Sequence, residues 1–258
     1  MRIIFYEDLI KKILMNIEMK YIIANWKMNL PSTKIENYYN MLDFYLSNDQ
    51  IKIIVAPPIS HIKYLVELDK NIKIASQDVS LINEEFGPYT GEISAKFLKF
   101  LGVEYAIVGH SESRLHKNES NKTIVEKSLI AINSGITPVI CIGEPLHARK
   151  YGKWRNYLKK QIDSSIPISQ IDKVIIAYEP LWAIGSNEPL AIDELAKTID
   201  YIRDYISSIA KEPSIIYGGA VKTDNSKQLS KIASLNGLIV GSASLNLNDF
   251  QKIVDSYA

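Results

Sequence analysis

Three side chains of this sequence are of the kind that move protons or hold developing charge, and each follows a β-rich run. Glu179 stands in Ala177-Tyr178-Glu179-Pro180-Leu181-Trp182-Ala183-Ile184-Gly185, just past the apolar run 174–177. A carboxylate at the end of a buried strand is costly to desolvate, and desolvation raises its proton affinity towards the range in which a general base works near neutral pH. The plain alternative for a lone glutamate is a rim carboxylate that caps a helix or pairs with an arginine. Lys27, in Asn25-Trp26-Lys27-Met28-Asn29, lies past another run and is flanked by a tryptophan and two asparagines. There it can aim one fixed positive charge at an anionic substrate, although alone it would read as a solvated surface lysine. His110, in Val108-Gly109-His110-Ser111-Glu112, reads as a strand-end imidazole facing a helix start, whose dipole favours the neutral ring; the alternative is a satisfied core histidine. The four histidines, His61, His110, His116 and His147, show no ligand spacing, so no metal site is expected.

Glycines supply a second kind of chemistry. Tyr217-Gly218-Gly219-Ala220 and Val240-Gly241-Ser242-Ala243 each follow a short apolar run, where missing side chains let backbone N–H groups approach an anion such as phosphate. A glycine pair after a strand is weak evidence alone, since many are only tight turns.

The elements that must position these groups alternate regularly. Short β-branched runs occur at 21–24, 51–56, 72–75, 105–108, 137–142, 174–177, 215–217 and 238–240, each too short and continuous for a surface helix. Amphipathic stretches lie between them. Ile35, Tyr38, Tyr39, Leu42, Tyr45 and Leu46 repeat at three-and-four spacing after a Ser32-Thr33 start, and Leu195, Ile199, Ile202, Tyr205, Ile206 and Ile209 do likewise. Eight β-then-α units predict an α/β fold, a closed (β/α)8 barrel of eight parallel strands each followed by a helix. An open doubly wound sheet is the alternative, weakened because no Gly-x-Gly-x-x-Gly follows the first strand. In a barrel, Asn25 and Lys27 end the first strand, His110 the fourth, Glu179 the sixth, Gly218 and Gly219 the seventh, Gly241 and Ser242 the eighth. All then fall on the face where barrel enzymes carry their active sites, and glycines after strands seven and eight sit where phosphate sites recur.

Composition bounds the class. The chain has 258 residues, 47% hydrophobic and 23% charged, enough for one large core in a single domain. With 30 Lys and Arg against 29 Asp and Glu there is no electrostatic case for nucleic acid. The single cysteine, Cys141, excludes an internal disulfide framework and fits a reducing compartment; a small apolar strand residue is its favoured role. No apolar run approaches the roughly 20 residues of a membrane helix. A soluble, cytoplasmic protein is expected, with no cofactor and no membrane or nucleic-acid partner.

Five segments, in order, resemble the triosephosphate isomerase family: Asn25-Trp26-Lys27-Met28-Asn29, Val108-Gly109-His110-Ser111-Glu112, Cys141-Ile142-Gly143-Glu144, the Glu179 phrase, and Tyr217-Gly218-Gly219 with Gly241-Ser242. The match runs from about Tyr21 to the C-terminus. The resemblance implies a TIM barrel that interconverts glyceraldehyde 3-phosphate and dihydroxyacetone phosphate, an isomerase of glycolysis and gluconeogenesis. Glu179 would take the proton next to the carbonyl to give an enediolate, with His110, Lys27 and Asn25 stabilising the oxyanion. It further implies that backbone N–H groups of Gly185, Ala220, Gly241 and Ser242 hold the phosphate, and that 180–190, beginning Pro180-Leu181-Trp182-Ala183-Ile184-Gly185, forms a lid. Ser111 would partner the base when the lid is open, Glu112 would neighbour the lysine, and Tyr217 would support the site. A homodimer is implied, in which the long loop from Gln77 to Thr90, followed by Gly91-Glu92, reaches into the neighbouring active site.

The chain departs from the family pattern in places. Ser113 stands where a second arginine is usual, leaving Arg114 and Glu119 to support that loop; Ala220 replaces a serine whose hydroxyl would meet the closed lid; Ser242 replaces a glycine. The far hinge reads Ser186-Asn187-Glu188-Pro189-Leu190. None touches Glu179, His110 or Lys27.

Two rival functions are another phosphate-binding (β/α)8 enzyme and a non-catalytic barrel. The first leaves the combination of Asn25, Lys27, His110 and Glu179 unexplained, and the second would be supported by a damaged catalytic residue. Residues 1–18 are expected to be an extension outside the barrel, which occupies 19–258, because Met19-Lys20-Tyr21-Ile22-Ile23-Ala24 already provides a start and a first strand. Ile3, Ile4, Leu9, Ile10, Ile13 and Leu14 suit a loosely docked amphipathic helix, and Glu7 and Asp8 argue against a secretion signal. A chain begun at Met19 is expected to keep full activity and an unchanged melting temperature in a thermal scan; a large drop would show the extension to be structural.

Overall fold

The computed structural model describes residues 19–31, 33–43, 50–68, 72–183 and 190–257. The expectations for 1–18 and for Ser32, Tyr45, Leu46, Ile184, Gly185 and 186–189 lie outside the described residues.

Eight parallel strands close into a barrel in sequence order. They are β1 (Lys20–Asn25), β2 (Ile51–Ala56), β3 (Lys73–Ser76), β4 (Tyr105–Val108), β5 (Thr137–Ile142), β6 (Ile175–Tyr178), β7 (Ser214–Tyr217) and β8 (Gly237–Val240). The register pairs β1 with both β2 and β8, as in Ala24 beside Val55 and Val240, so no edge is left open. The helices among the described residues are α1 (Ile35–Asp43), α2 (Ile62–Glu67), α3 (Ala95–Phe100), α4 (Ser111–His116), α5 (Asn121–Asn133), α6 (Leu146–Lys150), α7 (Trp154–Ser165), α8 (Ile192–Ser207), α9 (Ser226–Leu229) and α10 (Leu247–Asp255). The α8 periodicity holds from Leu195 to Ile206, but Ile209 falls past the helix end and is half exposed.

The strands read as continuous apolar runs because both faces are buried, and alternate residues serve two cores. Ile23, Ile54, Ile107, Val139, Cys141, Ala177, Ile216 and Ile239 fill the lumen. Their neighbours Ile22, Ala24, Val55, Val108, Ile140, Ile176 and Leu238 pack outward against the helices, together with Leu158, Ile162, Ile199, Ile202 and Phe250.

The loop over 77–90 is tied to the barrel by charge. Lys127 of α5 is buried and bonds Asp78 Oδ1 at 2.7 Å and Glu119 Oε1 at 2.5 Å, and the exposed Lys117 reaches Asp78 Oδ2 at 2.7 Å. Removing the shared cation leaves two carboxylates facing each other in a poorly solvated place. We expect Lys127→Met to lower unfolding stability by about 3 to 5 kcal/mol, measured by denaturant titration, and Lys127→Met with Glu119→Gln to recover part of it.

Candidate active site

The predicted site residues converge at the C-terminal mouth of the barrel. Lys27 follows β1 in a left-handed turn with φ 54°, a conformation that costs a side-chain-bearing residue about 1 to 3 kcal/mol and persists only where its surroundings impose it. Three contacts do so. Trp26 is fully buried edge-on against Tyr38, the Lys27 N–H donates to Asn25 Oδ1 at 3.1 Å, and Gln77 Nε2 donates to the Lys27 carbonyl at 2.8 Å. The Lys27 ammonium bonds Glu112 Oε1 at 2.6 Å. Partial burial works against ionisation of Glu112, but the Lys27 hydrogen bond and charge hold its carboxyl below the usual carboxylate range.

His110 precedes α4 and is 7% exposed. Its Nδ1 accepts the backbone N–H of Glu112 at 3.2 Å, which places the ring proton of the neutral imidazole on Nε2. That Nε2 faces Glu179 Oε2 at 3.6 Å, beyond hydrogen-bond distance.

Glu179 sits one residue beyond β6, anchored by its N–H to the Ile142 carbonyl at 2.7 Å. It is 3% exposed, and Oε2 has no hydrogen-bond partner among the described residues. Burial raises its proton affinity, against the opposing influence of His110, the Lys27 charge and the neighbouring Cys141 thiol. Two glycines make its seat. A Cβ on Gly143 would lie 1.8 Å from the Glu179 carbonyl oxygen, and one on Gly218 would lie 2.6 Å from Glu179 Cγ. Either side chain would displace the carboxylate.

Gly241 passes the Lys27 stem, since a Cβ added there would lie 3.8 Å from Lys27 Cε. Ser242 opens a 3-10 turn, Ser242–Leu245, outside the left-handed region, so an L-residue replaces glycine there without strain. Ala220 is nearly buried, its carbonyl held by Asn225 Nδ2 at 2.7 Å. The Tyr217 hydroxyl is buried without a hydrogen-bond partner among the described residues.

The near end of the expected lid is fixed by Glu144. Its carbonyl accepts the Leu181 N–H at 3.1 Å, while its fully buried carboxylate accepts from the Tyr178 hydroxyl at 3.1 Å and from the Trp182 indole at 3.5 Å. Pro180 and Ala183 are buried and joined by a turn hydrogen bond of 2.9 Å.

Ser111 and the loop over 77–90 lie near the same mouth. Ser111 borders the same small cavity as Glu179 but makes no hydrogen bond to it. In the loop over 77–90, Val79 packs on its own barrel, whereas Leu81 is half exposed and Phe86 is 78% exposed. Thr90 is exposed at the loop's end. Asn25, Lys27, His110 and Glu112 line one open groove of about 940 Å3 together with Asp78 to Ile82 of this loop. Sequence reasoning assigned no role to Gln77, which steadies the lysine turn, to Glu144, or to Gln161, whose Oε1 accepts the Gly143 N–H at 2.9 Å. Glu144 was legible only as part of a quoted segment, and the two glutamines gave no signal at all.

Comparison with known proteins agrees with this geometry. The sequence pattern of the family described as triosephosphate isomerase matches residues 20–257. The triosephosphate isomerase of Orientia tsutsugamushi (strain Ikeda) is 41% identical over 240 residues, covering 90% of this chain and 96% of the relative. That of Wolbachia sp. subsp. Brugia malayi is 40% identical over 233 residues, covering 90% and 95%. The crystal structure of triosephosphate isomerase from Bartonella henselae superposes with a TM-score of 0.80 at 31% identity, covering 92% of this chain and 98% of that one. A closed eight-stranded parallel barrel and this likeness over nearly its whole length together place the chain in the triosephosphate isomerase family, as an isomerase.

Proposed function

We propose that this chain interconverts D-glyceraldehyde 3-phosphate and dihydroxyacetone phosphate through an enediolate, with Glu179 as base and His110 and Lys27 as electrophiles. The observation that carries this reading is the dry Glu179 carboxylate, whose Oε2 has no hydrogen-bond partner among the described residues, beside an imidazole whose proton is on Nε2. Glu179 takes the proton from the carbon next to the substrate carbonyl, and the electron pair moves to the carbonyl oxygen. The His110 Nε2–H, the Lys27 ammonium and Asn25 meet the charge that develops there. His110 helps move the hydroxyl proton from one oxygen to the other, so the former hydroxyl oxygen becomes the carbonyl, and the proton held by Glu179 returns to the former carbonyl carbon, which completes the exchange of aldehyde and ketone with no net oxidation and no cofactor. The phosphate is held by backbone N–H groups of Gly185, Ala220, Gly241 and Ser242, and the lid over 180–190 excludes water that would let the intermediate expel phosphate. The unpaired Tyr217 hydroxyl, which approaches the backbone of Ala220 and Leu190, supports contact with the lid's far end.

The active form is a homodimer, in which the loop over 77–90 of one chain enters the 940 Å3 groove of the other. The exposure of Met28 (94%) and Phe86 along that region supports it. The protein acts in the cytoplasm, in glycolysis and gluconeogenesis.

A coupled assay for the triose phosphate conversion tests the reading, with Glu179→Gln as the decisive variant. The amide keeps the size but takes no proton, so we expect most turnover to vanish while phosphate binding persists; a loss smaller than about tenfold, roughly 1.4 kcal/mol of barrier, would reject Glu179 as the base. The acid limb of kcat/KM should lie above the ordinary carboxyl value of 4.5, because burial raises the Glu179 pKa. The same shift gives a sign for stability. A folded-state pKa above the unfolded one favours the fold at low pH and loses that benefit as pH rises through it. Glu179→Gln should therefore be more stable than the parent at neutral pH, with the advantage shrinking as pH falls towards 4.5, read by thermal scans across pH.

Ala220 gives a further expectation. Restoring a hydroxyl by Ala220→Ser should favour the closed lid and tighten a phosphate-bearing transition-state analogue by one hydrogen bond, about 0.5 to 1.5 kcal/mol. Calorimetry showing equal or weaker binding in the folded variant would overturn that account of closure.

A further inference from the structure

Helix α4 has a second face, turned away from His110. Glu112, Ser113 and Lys117 border the large groove, whereas Ser111, Arg114 and Leu115 border another of about 400 Å3, walled opposite by Tyr157 and Gln161 of α7 and ended by Leu181. This volume is in the range of small-molecule sites, and no acidic side chain lines it.

Its floor carries a fixed positive charge. Arg114 donates from Nε to the Gly109 carbonyl at 2.8 Å, from Nη1 to Asn121 Oδ1 at 2.7 Å and from Nη2 to the Cys141 carbonyl at 2.9 Å. All three acceptors are neutral. Among the described residues no carboxylate pairs with this guanidinium, and Nη1 and Nη2 each keep one N–H to give. Burial pulls its proton affinity down, against the opposing influence of Cys141, Tyr157 and the carboxylates of Glu119 and Glu179. Around it stand more idle donors. The Lys160 ammonium and the hydroxyls of Tyr157 and Ser111 make no hydrogen bond among the described residues. Gln161 is only 7% exposed; its Oε1 is occupied by Gly143, yet its amide nitrogen has no hydrogen-bond partner among the described residues, and the residue lines the groove. Apolar surface lies beside these donors, since Leu115 is 72% and Leu181 39% exposed.

A cation and several donors that lack acceptors, set against two leucines, suit one chemistry. We propose that this groove binds a small organic carboxylate, its oxygens received by Arg114, Lys160, Tyr157 and Gln161 and its apolar body laid on Leu115 and Leu181. The site is separate from the phosphate-binding loops. It touches the catalytic centre through Leu181, two residues past Glu179, and through a cavity of about 10 Å3 bordered by Ser111, Cys141, Gln161 and Glu179. An occupant leans on the near hinge from outside, so it lowers turnover without competing with substrate. Only that consequence rests on the proposed isomerase reading; binding itself does not.

The test is calorimetric titration of the folded protein with benzoate while the catalytic centre is saturated by a phosphate-bearing transition-state analogue. We expect saturable binding of one benzoate per chain, about tenfold weaker in Lys160→Glu and unchanged in Lys27→Ala. Lys160 is an exposed helix residue, and circular dichroism establishes that the variant is folded. In the coupled assay benzoate should lower kcat with KM unchanged. Absence of saturation, equal affinity in Lys160→Glu, or loss of binding with the analogue present or in Lys27→Ala would overturn the proposal. Inorganic phosphate binding in the groove where benzoate does not would overturn the carboxylate class. An inactive parent enzyme that still binds benzoate with the Lys160 dependence would reject the isomerase reading and leave this site standing.

Discussion

A carboxylate kept both dry and short of partners is the constraint around which the mouth of this barrel is built. Either condition alone is easy to meet. Buried carboxylates in proteins normally acquire an arginine or several N–H donors, and an arginine in contact would pull the proton affinity of Glu179 down by about one to three units. The nearest arginine, Arg114, instead spends its hydrogen bonds on two carbonyls and an asparagine, and the nearest lysine, Lys27, is engaged by Glu112. What touches Glu179 is a thiol, a weak donor, and an imidazole at 3.6 Å. Burial therefore dominates its titration. The glycines at 143 and 218 follow from the same need, because the carboxylate reaches its dry seat only where two side chains are missing.

The charges around this seat are held by different means. Lys27 is fixed by backbone strain that Trp26 and Gln77 impose, so the ammonium is delivered by a rigid turn and not by a flexible stem alone. His110 is fixed by an amide on Nδ1, which selects the tautomer able to donate from Nε2. On the proposed mechanism both groups must be ready before substrate arrives, since reorganising them during the reaction would add to the barrier. Glu112 contributes to both, with its carboxylate on Lys27 and its backbone N–H on His110.

The sequence carried the architecture because parallel barrel strands are apolar on both faces, so each strand stood out as a run and most boundaries agree within one residue. The polar residues at strand ends were legible for the same reason: in a chain of apolar runs, Asn25, Lys27, His110 and Glu179 interrupt at one end only. Groups that act through backbone were hidden. Gln77, Gln161 and Glu144 matter because of where main-chain amides and carbonyls lie, and neither spacing nor composition encodes that. Val79 is ambiguous in another way: an apolar residue in the loop over 77–90 suits burial against its own barrel or against a second chain, and only its packing places it on its own barrel.

Helix α4 shows how one short element divides two electrostatic territories. On one side Lys117 and the buried Lys127 both fall on Asp78, with Glu119 completing the cluster, so the loop over 77–90 is anchored by lysines although Ser113 stands where the family pattern has a further arginine. On the other side Arg114 is held by neutral acceptors and forms no ion pair among the described residues. A second arginine at position 113 would have placed another cation beside the first groove, among Asp78, Glu112 and Glu119. With serine there, the acidic groups of that side are left to the lysines, while Arg114 and Lys160 are the cations lining the second groove. The helix thus keeps opposite needs apart over six residues: paired charge where a loop must be tied down, and a guanidinium held by neutral acceptors where a pocket opens near Glu179.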